Sequence, residues 1–154
     1  MTARRLAFIC GAIGLVLSGC ASNLKTSADT AVIADLTTTG VGISTGIVAE
    51  ANPLLGSPAA IVASGVVRLV LINHIDKQPE PQRTNNLSGI NAITWGIAAS
   101  NLAILVSAAN PVGAIVGLTT TIAIWRSTED ERRFAKSCEY LRREEPLLVC
   151  KFNK

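Results

Sequence analysis

Aromatic residues are scarce: three Phe, two Trp and one Tyr among 154 residues, or 4%. Water-soluble cores usually draw much of their bulk from aromatic rings. Histidine is rarer still, with His74 the sole imidazole, and no C-x-x-C occurs, which argues against zinc or another metal centre. Charged residues make up 16% and the net charge is only +3, with no basic stripe interleaved with aromatics, so nucleic acid is not an expected partner. There is no phosphate-binding glycine loop. His74 and Asp76 are neighbours, but nothing completes them as an acid–base pair. Asp35 and Glu50 on one straight helix would stand about 22 Å apart, too far to act together. An enzyme is disfavoured, and no cofactor is expected.

What is abundant is small and aliphatic. Hydrophobic residues reach 49%, mostly Ala, Val, Ile and Leu interleaved with Gly, Ser and Thr. This composition suits helices that pack closely in lipid, where small residues let backbones approach. The amino terminus has its own layout: Arg4 and Arg5, an apolar run from Leu6 to Leu17, then a region of small residues. That is the pattern of an export signal, and the run is short for a membrane span.

Leu17-Ser18-Gly19-Cys20 matches the four-residue lipobox at every position, so the leader resembles that of bacterial lipoproteins. The resemblance implies that residues 1–19 are a signal peptide, that the Cys20 thiol carries lipid, and that residues 20–29 are a lipidated linker. The partner so implied is membrane lipid, through several acyl chains that hold far longer than one. Ala21 and Ser22 follow the cysteine, and the lack of Asp there points to the outer rather than the inner membrane. With Cys10 lost and Cys20 acylated, Cys138 and Cys150 remain as an even pair in an exported chain, and a disulfide between them is expected.

The tail, residues 127–154, should hold an amphipathic helix opening on Glu129, Asp130 and Glu131, with Ser127 or Thr128 at capping-box spacing. Phe134, Cys138 and Leu141 would share one face. Pro146 ends this helix, and a short extended segment would return Cys150 to Cys138. The Arg/Glu mixture of the tail is either a surface for an envelope protein partner or a solvated helix face.

Between leader and tail, "DKQPEPQRTNN" at residues 76–86 reads as an exposed loop. On either side lies a similar unit, "AEANPLLG" in one and "SAANPVG" in the other. Asn52-Pro53 and Asn110-Pro111 each separate two helix-length segments, because proline restricts the residue before it and is welcome in a first helical turn. The expectation is two helical hairpins, about 30–75 and 87–126, forming a membrane-associated domain over 30–126.

Small residues recur every fourth position, at Thr38/Gly42/Gly46, Gly56/Ala60/Ser64, Ala99/Ala103/Ser107 and Gly113/Gly117/Thr121. Each ladder lies along one helix face and could serve close packing or a homo-oligomer. No charge interrupts the chain between Arg83 and Arg126, whereas the first hairpin carries Asp35, Glu50 and Arg68. Asp35 and Arg68 fall at nearly the same depth from the Asn52-Pro53 turn. They either pair across the hairpin as an intramembrane ion pair or lie near the headgroups and snorkel. The Asn-Pro turns lack positive charge, which runs against the usual inside-positive arrangement of an inner-membrane protein.

Asp35, Thr38 and Glu50-Ala51-Asn52-Pro53-Leu54 also resemble an uncharacterised family of small integral-membrane proteins with a D-x-x-T and E-A-N-P-L signature; no activity follows from that family. The lipobox followed by small-residue hairpins is similar to glycine-zipper outer-membrane lipoproteins, though without their denser glycine repeat. The fold expected is all-α: four helices in two hairpins, plus a C-terminal helix and a short extended tail. The function expected is a structural or assembly role in the cell envelope, with two rivals: a small transporter or pore component, and a tethered soluble periplasmic bundle.

Overall fold

The structure is a computed structural model, and it describes residues 23–46, 57–107 and 110–145. These form five helices and no strand: α1 Leu24–Ser44, α2 Pro58–Asp76, α3 Gln82–Ser107, α4 Asn110–Ser127 and α5 Glu129–Glu144. The fold is all-α, as the four-residue periodicities imply.

Local chemistry sets the boundaries. Asn23 caps α1, its Oδ1 accepting from the Lys25 amide at 3.0 Å, so the helix starts within the segment expected to be a linker. α1 stops where Gly46 takes φ 66°, a left-handed conformation that costs glycine nothing. Ser57 caps α2 through the Ala60 amide at 3.2 Å, with Pro58 in the first turn.

The loop before α3 is shorter than expected, only Lys77–Pro81, and the helix begins at Gln82 rather than at residue 87. The polar side chains that suggested an open loop bond one another and nucleate the helix. Arg83 donates to Asp76 Oδ1 at 2.7 Å and to Glu80 Oε1 at 3.1 Å. Glu80 Oε2 accepts from the Thr84 amide at 3.1 Å and does the work of a cap. α4 opens on Asn110-Pro111, as the proline argument requires. The turn expected at Asn52-Pro53, Gly56 and the expected extended tail lie outside the described residues.

α3 is the centre of the bundle and touches every other helix, most extensively α4 and α1. α2 lies mainly against α1, α5 sits on α3 and α4, and α1 and α4 do not meet among the described residues. Residue pairs give the directions. Ser27 meets Asn91 and Trp95, and Thr39 meets Asn101, so α1 and α3 run parallel. Gly96 faces Gly117 and Thr121 while Ile104 faces Gly113, so α3 and α4 run antiparallel. In the first unit Leu36 fills the space beside Gly65. Shifting both by the Asn52-to-Asn110 separation gives Thr94 and Ala123, in the same register as the observed Gly96/Thr121 pair. The weak sequence repeat therefore coincides with a repeated helix-pairing register.

Ala28, Val32, Ile72, Ile75 and Leu87 form the buried aliphatic cluster of α1, α2 and α3. Trp95 is the largest fully buried side chain. The α3–α4 contact is made of small residues instead. A Cβ at Gly117 would lie 2.9 Å from the Gly96 carbonyl oxygen, and one at Gly113 2.3 Å from Ile104 Cγ1.

Candidate functional site: a polar cleft inside an apolar shell

Polar side chains line the α1–α3 seam in two groups. In the first, Ser27 donates to Asn91 Oδ1 at 3.0 Å and accepts from the Trp95 indole N–H at 3.2 Å. The second centres on Asp35, which is buried. Arg68 Nη1 on α2 donates to Asp35 Oδ2. Asn101 Nδ2 on α3 donates to Asp35 Oδ1 at 2.9 Å and to Thr39 Oγ1 at 3.0 Å. One carboxylate thus ties three helices together. The Asp35 and Arg68 side chains are paired across α1 and α2. Asn101 carries no signal of its role in the sequence, since an asparagine in an apolar run can equally face outward.

Beside this cluster is a cleft of about 180 Å³ walled by Leu36, Ile43, Ile61 and Ile97, with Asp35, Thr38, Thr39, Ser64, Arg68 and Asn101 as its polar lining. The Arg68 side chain is one-third exposed at this cleft, whereas Asp35 is nearly closed off.

The expected small-residue ladders are met unevenly. Gly113, Gly117 and Thr121 form a true packing face. The α3 face opposite them is Gly96, Ser100 and Ile104, rotated from the expected Ala99/Ala103/Ser107, of which Ala99 is buried and Ser107 exposed. On α2 the close approach is at Gly65, with Ile61 also buried, rather than along Ala60/Ser64. On α1, Gly42 is buried but Gly46 is exposed at the helix end. Ladder spacing finds a face only when it is centred on the residue that meets the neighbour.

Outside, the helices are apolar. Val62, Val66, Val67, Val70 and Leu71 on α2 are all exposed, as are Ile115, Leu118, Ile122 and Trp125 on α4 and Ile33 and Val41 on α1. Two helices are long and apolar enough to cross a membrane: Pro58–Asp76 at mean hydropathy 1.6 and Gln82–Ser107 at 1.5. Only 17% of the α2 window and 39% of the α3 window is buried within the protein.

α5 alone is strongly amphipathic. Its buried face is Arg132, Ala135 and Cys138, not Phe134/Cys138/Leu141; Phe134 and Leu141 are exposed. The expected capping box is also replaced. Thr128 makes no side-chain cap bond; its hydroxyl donates to the Trp125 carbonyl at 3.0 Å, and Ser127 turns back to Ile124. Arg132 explains the change: it lies 3.6 Å over the Trp125 ring and donates to the Trp125 carbonyl at 2.7 Å and to Thr128 Oγ1. Desolvation lowers the pKa of this guanidinium, with Glu129 opposing the shift. Cys138 is disulfide-bonded; its expected partner Cys150, like Cys20 and Glu50, lies outside the described residues.

His74 is exposed, and its neighbour Asp76 is engaged by Arg83. Among the described residues no cluster of His, Cys, Asp and Glu could hold a metal ion. Comparison with known proteins finds no matching family model, no matching curated protein and no matching solved structure.

Proposed function

We propose that this chain is a membrane-anchored bacterial lipoprotein with a structural or assembly role in the cell envelope. Residues 1–19 are removed, Cys20 is acylated, and the protein is held on the periplasmic side of the outer membrane. α1 with α2 and α3 with α4 are its two hairpins, their outer faces toward lipid. α5 and a tail closed by Cys138 and Cys150 remain in the periplasm as the surface for an envelope partner.

The observation that carries this reading is the outer face of α2. A helix on the surface of a water-soluble bundle keeps its outer face polar, and an exposed aliphatic patch of this extent marks contact with lipid or protein. Here five aliphatic side chains crowd that face. Arg68, the charge within the helix, is turned to Asp35, and an internally neutralised pair lowers the cost of placing either group in lipid. A tethered soluble bundle would leave the valines of α2 in water.

The test exports the chain from Ala21 onward on a cleavable leader that adds no lipid, so that neither acyl groups nor an uncut signal can hold it. Alkaline carbonate washing should leave this protein in the membrane pellet. Release into the soluble fraction would overturn the insertion of the hairpins. Intact-mass measurement of the natural chain addresses the anchor separately: a full-length product with an unmodified leader would overturn the lipoprotein reading.

A further inference from the structure

The Asp35–Arg68 cleft has hydrogen-bonding capacity that the protein itself does not use. Arg68 bonds Asp35 through Nη1 alone, leaving Nε and Nη2 without a partner among the described residues. Asn101 spends its Nδ2 on Asp35 and Thr39, while among the described residues no donor meets its Oδ1. The hydroxyl of Ser64 donates to the Ile61 carbonyl at 2.8 Å and keeps its lone pairs. Neither Arg68 nor Asn101 has an orphaned polar atom sealed in the interior, so this spare capacity is open to a solute. Donors and acceptors therefore line one small space with aliphatic walls.

We propose that this cleft binds a small amino-acid-like zwitterion, its carboxylate on the unpaired N–H groups of Arg68 and its ammonium on the oxygens of Asn101 and Ser64. Charge selects the class. The cluster is already neutral, so a simple anion meets the Asp35 carboxylate and a simple cation meets Arg68, each without compensation in a site only partly open to solvent. A zwitterion keeps the sum at zero and satisfies both sets of groups. Size selects within the class: 180 Å³ equals about six waters at ~30 Å³ each and is well under the ~300 Å³ of a drug-sized pocket. Leu36, Ile61 and Ile97 offer an aliphatic body apolar contact. This goes beyond the envelope role proposed above and does not depend on it.

The experiment is calorimetric titration of the full-length protein in neutral detergent with L-alanine, and separately with ethylamine and with propionate, which carry its two charges one at a time. Alanine should bind saturably and roughly tenfold or more tightly than either half, the factor expected from one further charge-assisted hydrogen bond. Ser64→Leu, which fills the cleft and leaves the ion pair in place, should abolish the binding. The double variant Asp35→Asn/Arg68→Gln, which stays neutral and keeps similar volume, should do the same while retaining the helical circular-dichroism spectrum. No saturable alanine binding, equal binding of alanine and propionate, or undiminished binding by a folded Ser64→Leu protein would each overturn the proposal.

Discussion

Gly96 and Gly117 face each other across the α3–α4 interface so closely that a Cβ on either would stand 2.8–2.9 Å from the other's carbonyl oxygen. Backbone, unlike the tip of a long side chain, cannot swing aside. The two helices therefore touch main chain to main chain, and the contact depends on both residues lacking a side chain.

Gly96→Ala and Gly117→Ala should each destabilise the fold by about 1–3 kcal/mol, the usual cost of overpacking. Gly40, in the interior of α1, has nothing within 4 Å of its absent Cβ. Gly40→Ala should instead stabilise by about 0.4–1 kcal/mol through reduced backbone freedom in the unfolded chain. Thermal unfolding of the three variants in one detergent would show melting temperatures moving in opposite directions. A uniform shift would contradict the interface.

Arg68→Gln strands the buried Asp35 carboxylate with Asn101 and Thr39 as its remaining partners. The expected loss is near the lower end of the ~3–5 kcal/mol range for a broken buried pair, since Arg68 is partly solvated. Adding Asp35→Asn should restore most of it, because the uncompensated charge is then gone. A double variant no more stable than Arg68→Gln alone would remove the charge argument.

Ser27→Ala leaves the indole N–H of Trp95 without its acceptor in a site where that ring is only 2% exposed. About 1–3 kcal/mol should be lost, as for other stranded buried donors. Trp125 is 42% exposed, so an aqueous quencher should reach Trp125 first in the native protein. Trp125→Phe protein should resist quenching until Ser27→Ala loosens the α1–α3 seam.

Arg132→Ala removes both the stacking on Trp125 and the bonds that hold the α4–α5 junction. The expected cost is about 1–2 kcal/mol. With the Cys138 disulfide reduced, limited proteolysis should then cut α5 well before the bundle. Arg132→Lys, which keeps a cation but loses the planar fork, should fall between the two. Equal protease resistance in all three would show that the junction is held elsewhere.

Much of this architecture is legible along the chain because it is local. Proline after asparagine marks the start of α4, glycine spacing marks the α4 packing face, and the uncharged stretch between Arg83 and Arg126 marks an apolar helix pair. Asp35 lies nine residues before the end of α1 and Arg68 ten after the start of α2, so a constant helical rise puts the paired side chains at nearly the same level. Other features depend on which way each helix is rotated, and rotation is decided by neighbours distant in sequence. Gly96 rather than Ala99 faces α4 because Gly117 and Thr121 come closest there. Arg132 rather than Phe134 turns inward because the Trp125 ring and carbonyl offer a cation both a π-face and an acceptor. Asn101 became the third partner of Asp35 only when α3 was laid parallel to α1, a relation between segments more than sixty residues apart that no spacing rule along one helix encodes.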